Sequence, residues 1–227
     1  MNTQTVNRFE YKYYLTLFDY IVLKNKLRAV MQADSHSNQD GRYIITSLYF
    51  DTHDNEAYIE KIEGYHSRKK IRIRFYNHSD NVIKLEMKQK EGDVVKKMSA
   101  HISKSDALEL SSGNIDQAFI ERLPNELKYH LNQNALSPKV IVEYDREAFT
   151  LDVNETRITF DMNVRKQEHL FDLFNSNLPL NGADTESIIM EVKFNNCLPT
   201  SLRHILQFDT SNRLAISKYC LSRSLIY

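Results

Sequence analysis

In five segments of this chain, charged residues recur at every second position, the spacing of one face of a β-strand. Lys70, Arg72, Arg74 and Tyr76 alternate with Ile71, Ile73 and Phe75. Lys84, Glu86 and Lys88 lie opposite Ile83, Leu85 and Met87, and Ile188–Phe194 places Glu191 and Lys193 together. Arg157, Thr159 and Asp161 share a face opposite Ile158 and Phe160, and Arg8, Glu10 and Lys12 alternate with Phe9, Tyr11 and Tyr13. An ordinary antiparallel strand turns such a face to water. Solvated faces, however, usually mix Ser, Thr, Asn and Gln with their charges. Here Arg and Lys are concentrated, with an occasional Glu, on strands spread along the whole chain.

Such cations, gathered around one axis, repel one another unless an anion or interleaved carboxylates compensate. Phosphate chains suit that lumen, because each phosphoryl group accepts bidentate Arg and point-charge Lys contacts. A lone inward carboxylate such as Glu191 is suited to a hard divalent cation, Mg²⁺ or Mn²⁺, completed by water and substrate oxygens. Phosphoryl transfer asks mainly for positioning, charge neutralisation and a metal. No Walker A or GxGxxG pattern is present, and no Ser-His-Asp or Cys-His arrangement stands out.

The elements that must position these residues follow from the same periodicities. Val140–Arg146, with Tyr144 and Arg146 on the face of Val142, and Tyr43–Phe50 are further strands. Helices are expected at Thr16–Met31, His53–Ile62, Ala107–Leu110 after a capping signal at Ser103–Asp106, Asp116–Leu131 with a break near Pro124, and Pro199–Phe208. Within the first, Leu17, Tyr20, Ile21, Leu23, Leu27 and Val30 are apolar at helical spacing. Ser35–Gly41 and Asn175–Glu186 read as loops. The expected fold is α+β: an antiparallel β-barrel tunnel with a charged lumen and helices packed outside, as a single domain over residues 1–227.

The 227 residues are 41% hydrophobic, 26% charged and 11% aromatic, with 5 Gly and 4 Pro, which fits a globular protein and excludes low-complexity classes. Net charge is zero, an argument against a generic nucleic-acid or membrane-surface binder. The balance hides an asymmetry: net charge is −2 over residues 1–60, +6 over 61–100, −7 over 101–200 and +3 over 201–227. Cys197 and Cys220 form neither a disulfide framework nor a zinc pattern. No signal peptide and no membrane-spanning run is visible, so a cytoplasmic location is expected.

Seven motifs occur in an order that resembles the VTC (vacuolar transporter chaperone) domain of the triphosphate tunnel metalloenzymes. They are Arg8-Phe9-Glu10-Tyr11-Lys12-Tyr13, Ser47-Leu48-Tyr49-Phe50-Asp51-Thr52, Arg72-Ile73-Arg74-Phe75-Tyr76, Leu85-Glu86-Met87-Lys88, Glu143-Tyr144-Asp145-Arg146, Glu191-Val192-Lys193 and Ser217-Lys218-Tyr219. The resemblance implies a polyphosphate polymerase that adds the γ-phosphoryl group of ATP to inorganic polyphosphate with Mn²⁺ or Mg²⁺. It implies that Lys12, Arg72, Arg74 and Lys88 hold phosphates, that Tyr144, Arg146, Ser217 and Lys218 complete the anion cage, and that Glu191 is the metal ligand. Arg72, Arg74, Lys88 and Lys218 are the catalytic candidates, and Lys193 shares the Glu191 face. A further lysine is expected at Lys96 or Lys97. Alternation favours Lys97, because Met98, Ala100 and Ile102 share the Lys96 face.

Eukaryotic members resemble Lys-x-Ser-Lys near the C-terminus, where this chain reads Ala215-Ile216-Ser217-Lys218. Arg213 is the candidate substitute for the absent cation. The resemblance fits a stand-alone, bacterial form whose partners are ATP and polyphosphate or triphosphate, with docking to a separate membrane protein left open. Two other functions fit the same residues: a tripolyphosphate or nucleotide triphosphate hydrolase, and a non-catalytic polyphosphate-binding module.

Overall fold

A computed structural model describes residues 8–34, 40–92, 94–114, 116–133, 135–207 and 213–223. The elements run in the order β1 (Arg8–Leu15), α1 (Leu17–Arg28), β2 (Gln32–Ala33), β3 (Arg42–Asp51), α2 (Glu56–Ile62), β4 (Ser67–Tyr76), β5 (Ser79–Glu91) and β6 (Val94–His101). There follow α3 (Lys104–Ser111), α4 (Gln117–Glu121), α5 (Asn125–Gln133), β7 (Ser137–Leu151), a 3₁₀ turn (Val153–Glu155), β8 (Thr156–Gln167), β9 (Asn181–Asp184), β10 (Ile188–Asn195), α6 (Thr200–Leu206) and α7 (Lys218–Leu221).

The chain forms two compact units. The first comprises residues 1–43, 144–164 and 184–216, and the second residues 44–143, 165–183 and 217–227. Strands β3, β7 and β8 contribute residues to both.

In the second unit the ladder runs β7-β3-β4-β5-β6, and β4, β5 and β6 pair with their neighbours antiparallel. The β4–β5 hairpin turns on Asn77 and His78, both at positive φ, the conformation of a tight primed turn. The apolar residues of the alternating strands, Ile71, Ile73, Phe75, Ile83, Leu85 and Met87, form one core with Leu110 of α3, Phe119 of α4 and Leu127 of α5. Each such side chain contributes about 1.5–3 kcal/mol on burial, so the period-two pattern decides which face meets the helices and leaves the charged face on the other side. Helix α3 starts in a capping box, with the Ser103 hydroxyl accepting from the Asp106 amide and the Asp106 carboxylate accepting from the Ser103 amide.

The first unit repeats the plan. Its ladder is β1-β10-β8-β7, with β2 on β7. Tyr13, Leu15, Ile158, Phe160, Met190 and Val192 pack with Leu23 and Leu27 of α1 and Leu202 of α6. Thr16 and Asp19 form a second capping box at the start of α1.

Several expectations need adjusting. The helix expected over Thr16–Met31 stops at Arg28 and buries Tyr20, Leu23 and Leu27, while Leu17, Ile21 and Val30 are exposed. The first three repeat at three and four residues and so stack on one stripe; Ile21 falls outside it, Leu17 is the first helical residue, and Val30 lies beyond the helix end at Arg28. The segment expected over Asp116–Leu131 is two helices, α4 and α5, with Pro124 between them. Residues 175–186, expected as a loop, include β9 paired with β8. Most of Ser35–Gly41, and Phe208 at the end of the expected last helix, lie outside the described residues. The expected closure of the sheet is absent among the described pairings, which end at β1 and at β6.

Candidate active site

Each unit carries its own cluster of charged residues on the sheet face opposite its core. On the second unit, antiparallel register stacks the charges in rows. Lys70, Lys88 and Lys97 are direct cross-strand partners on β4, β5 and β6, and Tyr49, Arg72, Glu86 and Ser99 form the next row. Ser47, Arg74, Lys84 and His101 form the one after.

Glu86, 3% exposed, is the hub of this face. Its Oε2 accepts from Arg72 Nε at 2.9 Å and Nη2 at 2.7 Å, and its Oε1 meets Lys97 Nζ at 2.6 Å. Arg74 Nη1 stands 3.9 Å away, and Arg74 Nε donates to Ser47 Oγ at 3.4 Å. Burial alone would raise the Glu86 carboxyl, but Arg72, Arg74 and Lys97 outweigh it and bring it down to about 2. Partial burial pushes Lys97 below the usual lysine range, with Arg72 and Arg74 adding to that and Glu86 opposing it. One carboxylate thus organises three cations without neutralising them.

The same unit holds Ser217, whose hydroxyl accepts from Lys70 Nζ at 2.6 Å. It also caps α7, accepting from the Cys220 amide at 3.3 Å. Lys218 opens that helix. Tyr219 donates to Asp51 Oδ2 at 2.5 Å, and Lys70 lies 5.3 Å from its ring centre.

The first unit's cluster is richer in carboxylates. Arg146 makes a bidentate pair with Asp161 at 2.6 and 2.8 Å, and its Nη2 lies 3.7 Å from Glu191 Oε2 and 3.5 Å from the Tyr144 hydroxyl. Lys193 Nζ is 3.1 Å from Glu191 Oε2. Lys12 Nζ is 3.5 Å from Glu191 Oε1, 3.2 Å from Glu10 and 3.2 Å from the Ile216 carbonyl. Glu191 is buried, which by itself would raise its carboxyl. Lys193, Lys12, a hydrogen bond with Glu10 and Arg146 instead hold it well below the usual carboxylate range.

Among the described residues no group of three or more His, Cys, Asp or Glu side chains forms a metal cluster. The donor set nevertheless fits a hard divalent cation that takes most of its oxygens from water and phosphate. Glu191 and Glu10 offer two carboxylates. Thr159, the cross-strand partner of Glu191, has a buried hydroxyl with no hydrogen-bond partner among the described residues.

All ten of the cationic and polar candidates are described, as is Glu191. Arg72, Arg74 and Lys97 meet around Glu86, Lys88 shares their face, and Lys12, Lys193, Arg146 and Tyr144 meet Glu191 or its partners. Lys96 points to the helical side and pairs with Glu126 of α5. Arg213 does not take the place of the absent C-terminal cation. Its guanidinium lies 3.5 Å from the ring centre of Tyr11, beside a pocket of about 350 Å³ lined by Phe9, Tyr11, Phe194 and Arg203. Those strand side chains alternate with Lys12 and Lys193 and therefore occupy the opposite face. Lys70, Glu86, Tyr49, Glu10 and Asp161 belong to these clusters but were not among the expected site residues. Strand parity already put Lys70, Glu86, Glu10 and Asp161 on the charged faces; Tyr49 needed the β3–β4 register.

The sequence profile of the VTC domain matches residues 7–227. The chain belongs to the VTC domain family. A search of curated protein sequences finds no match. Among solved structures, a candidate adenylyl cyclase from Hippeastrum, described as having a dominant triphosphatase activity, is similar over 87% of this chain and 83% of its own, with 12% identity and a TM-score of 0.51. A candidate adenylate cyclase from Bacillus halodurans matches over 88% and 86%, with 13% identity and a TM-score of 0.48. A protein from Pyrococcus horikoshii matches over 88% and 85%, with 12% identity and a TM-score of 0.42. The VTC domain described here has the antiparallel sheet and outer helices of the triphosphate tunnel metalloenzymes, the fold class expected from its sequence.

Proposed function

We propose that this VTC domain is a polyphosphate polymerase, transferring the γ-phosphoryl group of ATP to a growing inorganic polyphosphate chain, with residues 1–227 working as one catalytic domain. The observation that carries the reading is the face of β4, β5 and β6. There Arg72, Arg74, Lys70, Lys88 and Lys97 surround one buried carboxylate. A planar guanidinium and several ammonium groups in adjacent rows match the repeating charge of a phosphate chain better than that of a single anion.

Glu86 keeps Arg72 oriented through two N–H groups and leaves its Nη1 on the Tyr49 hydroxyl. Arg72 and Arg74 would hold the phosphoryl oxygens, and the lysine row would neutralise the adjoining groups. Lys218 would act with them on the transferred group. In the first unit, Lys12, Lys193, Arg146 and Tyr144 would bind further phosphate oxygens. Glu191, Glu10 and Thr159 would hold Mn²⁺ or Mg²⁺, which would supply charge neutralisation to phosphate oxygens.

A hydrolase is the second reading, supported by the triphosphatase activity described for the Hippeastrum protein of similar fold. Purified protein incubated with ATP and Mn²⁺, beside Glu191→Gln, separates the two. A polyphosphate ladder from the native chain, lost in the variant, is the expected result. Free phosphate without a ladder would make it the hydrolase, and no turnover in any condition would contradict both.

A further inference from the structure

The hydroxyl of Tyr49 accepts a hydrogen bond from Arg72 Nη1 at 3.0 Å. A phenol can also donate, yet among the described residues nothing accepts the Tyr49 proton. Its neighbours explain why. Lys70, Arg72 and Arg74 of β4 are cations, as is Lys97 of β6, and none of them can accept. Both Glu86 oxygens of β5 are taken by Arg72 and Lys97. Asp51 of β3 accepts from Tyr219, Ala57 and Tyr58, and Ser47 accepts from Arg74. The ring itself is pinned, 7% exposed, tilted against Tyr219 at 5.2 Å with the Arg72 guanidinium 5.7 Å from its centre. A fixed neutral donor therefore stands among cations, its proton accepted by none of the described residues.

We propose that Tyr49 is a binding residue for the phosphate chain, donating its hydroxyl proton to a phosphoryl oxygen held by Arg72 and Arg74. The inference rests on the phosphate-binding role given above to this face. It adds a contact that the seven motifs did not assign, and with it a pH gate. A neutral donor adds a charge-assisted hydrogen bond without adding to the repulsion among the cations. Once ionised, the same oxygen loses its proton, cancels one cation and repels the ligand.

Burial would raise the Tyr49 phenol, but Arg72, Arg74 and Lys70 outweigh it and bring it down to about 8. Phosphate binding should therefore weaken as pH rises through that value, because only the protonated form donates. Lys97 also loses charge on the alkaline side, so the native protein's alkaline limb has two sources, and Tyr49→Phe removes one of them.

Calorimetric titration with tripolyphosphate at about pH 7 and about pH 9 tests this on the full chain. Tyr49→Phe should bind about tenfold more weakly at the lower pH, the low end for a hydrogen bond to a charged group. The native protein should lose about tenfold more affinity between the two pH values than the variant does, one unit of ionisation beyond the phenol's midpoint. Titration of the ligand itself is common to both proteins and cancels. A second measurement needs no variant: saturating tripolyphosphate should shift the ultraviolet tyrosinate titration of one tyrosine upward by more than about one unit. Equal affinities and parallel pH profiles in the two proteins, or an unmoved tyrosinate titration in a native protein that binds, would overturn the role of Tyr49 alone. Failure of the native protein to bind tripolyphosphate at any pH would overturn the phosphate-binding face and this inference together.

Discussion

Glu86 holds Arg72, Arg74 and Lys97 together on the proposed phosphate-binding face. Its carboxyl is brought down to about 2 from an ordinary 4.5 by Arg72, Arg74 and Lys97 against the effect of burial. Because the folded value is depressed, its contribution to stability is complete above the unfolded value and is lost as pH falls from about 4.5 toward about 2. That contribution is roughly 3 kcal/mol. Glu86→Gln should remove it, lowering the melting temperature at neutral pH and flattening the acid limb between those values. The same change leaves Arg72, Arg74 and Lys97 uncompensated, so added tripolyphosphate should raise the variant's melting temperature by more than it raises the native protein's. A variant with unchanged stability and an unchanged ligand shift would show that Glu86 does not organise these cations.

At the scale of elements, the motifs are joined by packing that sequence order conceals. Asp51, at the end of β3, is 1% exposed. It accepts from the Ala57 and Tyr58 amides at the start of α2, at 2.9 and 3.1 Å, and from the Tyr219 hydroxyl of α7. The residue preceding α2, Asn55, sits at positive φ and makes no side-chain cap, so Asp51 supplies the cap from four residues further back. Asp51→Ala should destabilise the protein by roughly 2–4 kcal/mol, combining a lost cap with a buried hydroxyl left unpaired. Urea unfolding measures this; a loss under about 0.5 kcal/mol, the bottom of the range for a cap alone, would mean that α2 and α7 are held by other contacts.

The strands were legible because a period of two leaves few alternatives when one face is apolar. Ile71, Ile73 and Phe75 commit β4, and Ile83, Leu85 and Met87 commit β5. The capping signal at Ser103–Asp106 and the break at Pro124 were legible in the same local way, from residues within one turn of each other. The partners of each charged residue were not. Arg72 meeting Glu86, Arg146 meeting Asp161 and Tyr219 meeting Asp51 all depend on register or on the path of the chain between distant segments, which periodicity does not encode. Arg213 misled for the same reason: its position in the sequence suggested a lost lysine's substitute, whereas the chain brings it to the aromatic face of Tyr11.

For the whole molecule, a net charge of zero conceals two faces of different character. The second unit's face carries Arg72, Arg74, Lys70, Lys88 and Lys97 against Glu86, while the first unit's cluster interleaves Glu10, Glu191 and Asp161 with its cations. Among the described residues no helix is long and apolar enough to cross a membrane. Titration of the native protein and Arg74→Ala with tripolyphosphate at low and high salt tests most directly whether the first of these faces takes a phosphate chain. The native protein should bind, with affinity falling as salt rises, and Arg74→Ala should lose roughly 1.5–3 kcal/mol, about tenfold or more. No binding by the native protein, or equal binding by a folded Arg74→Ala, would contradict it.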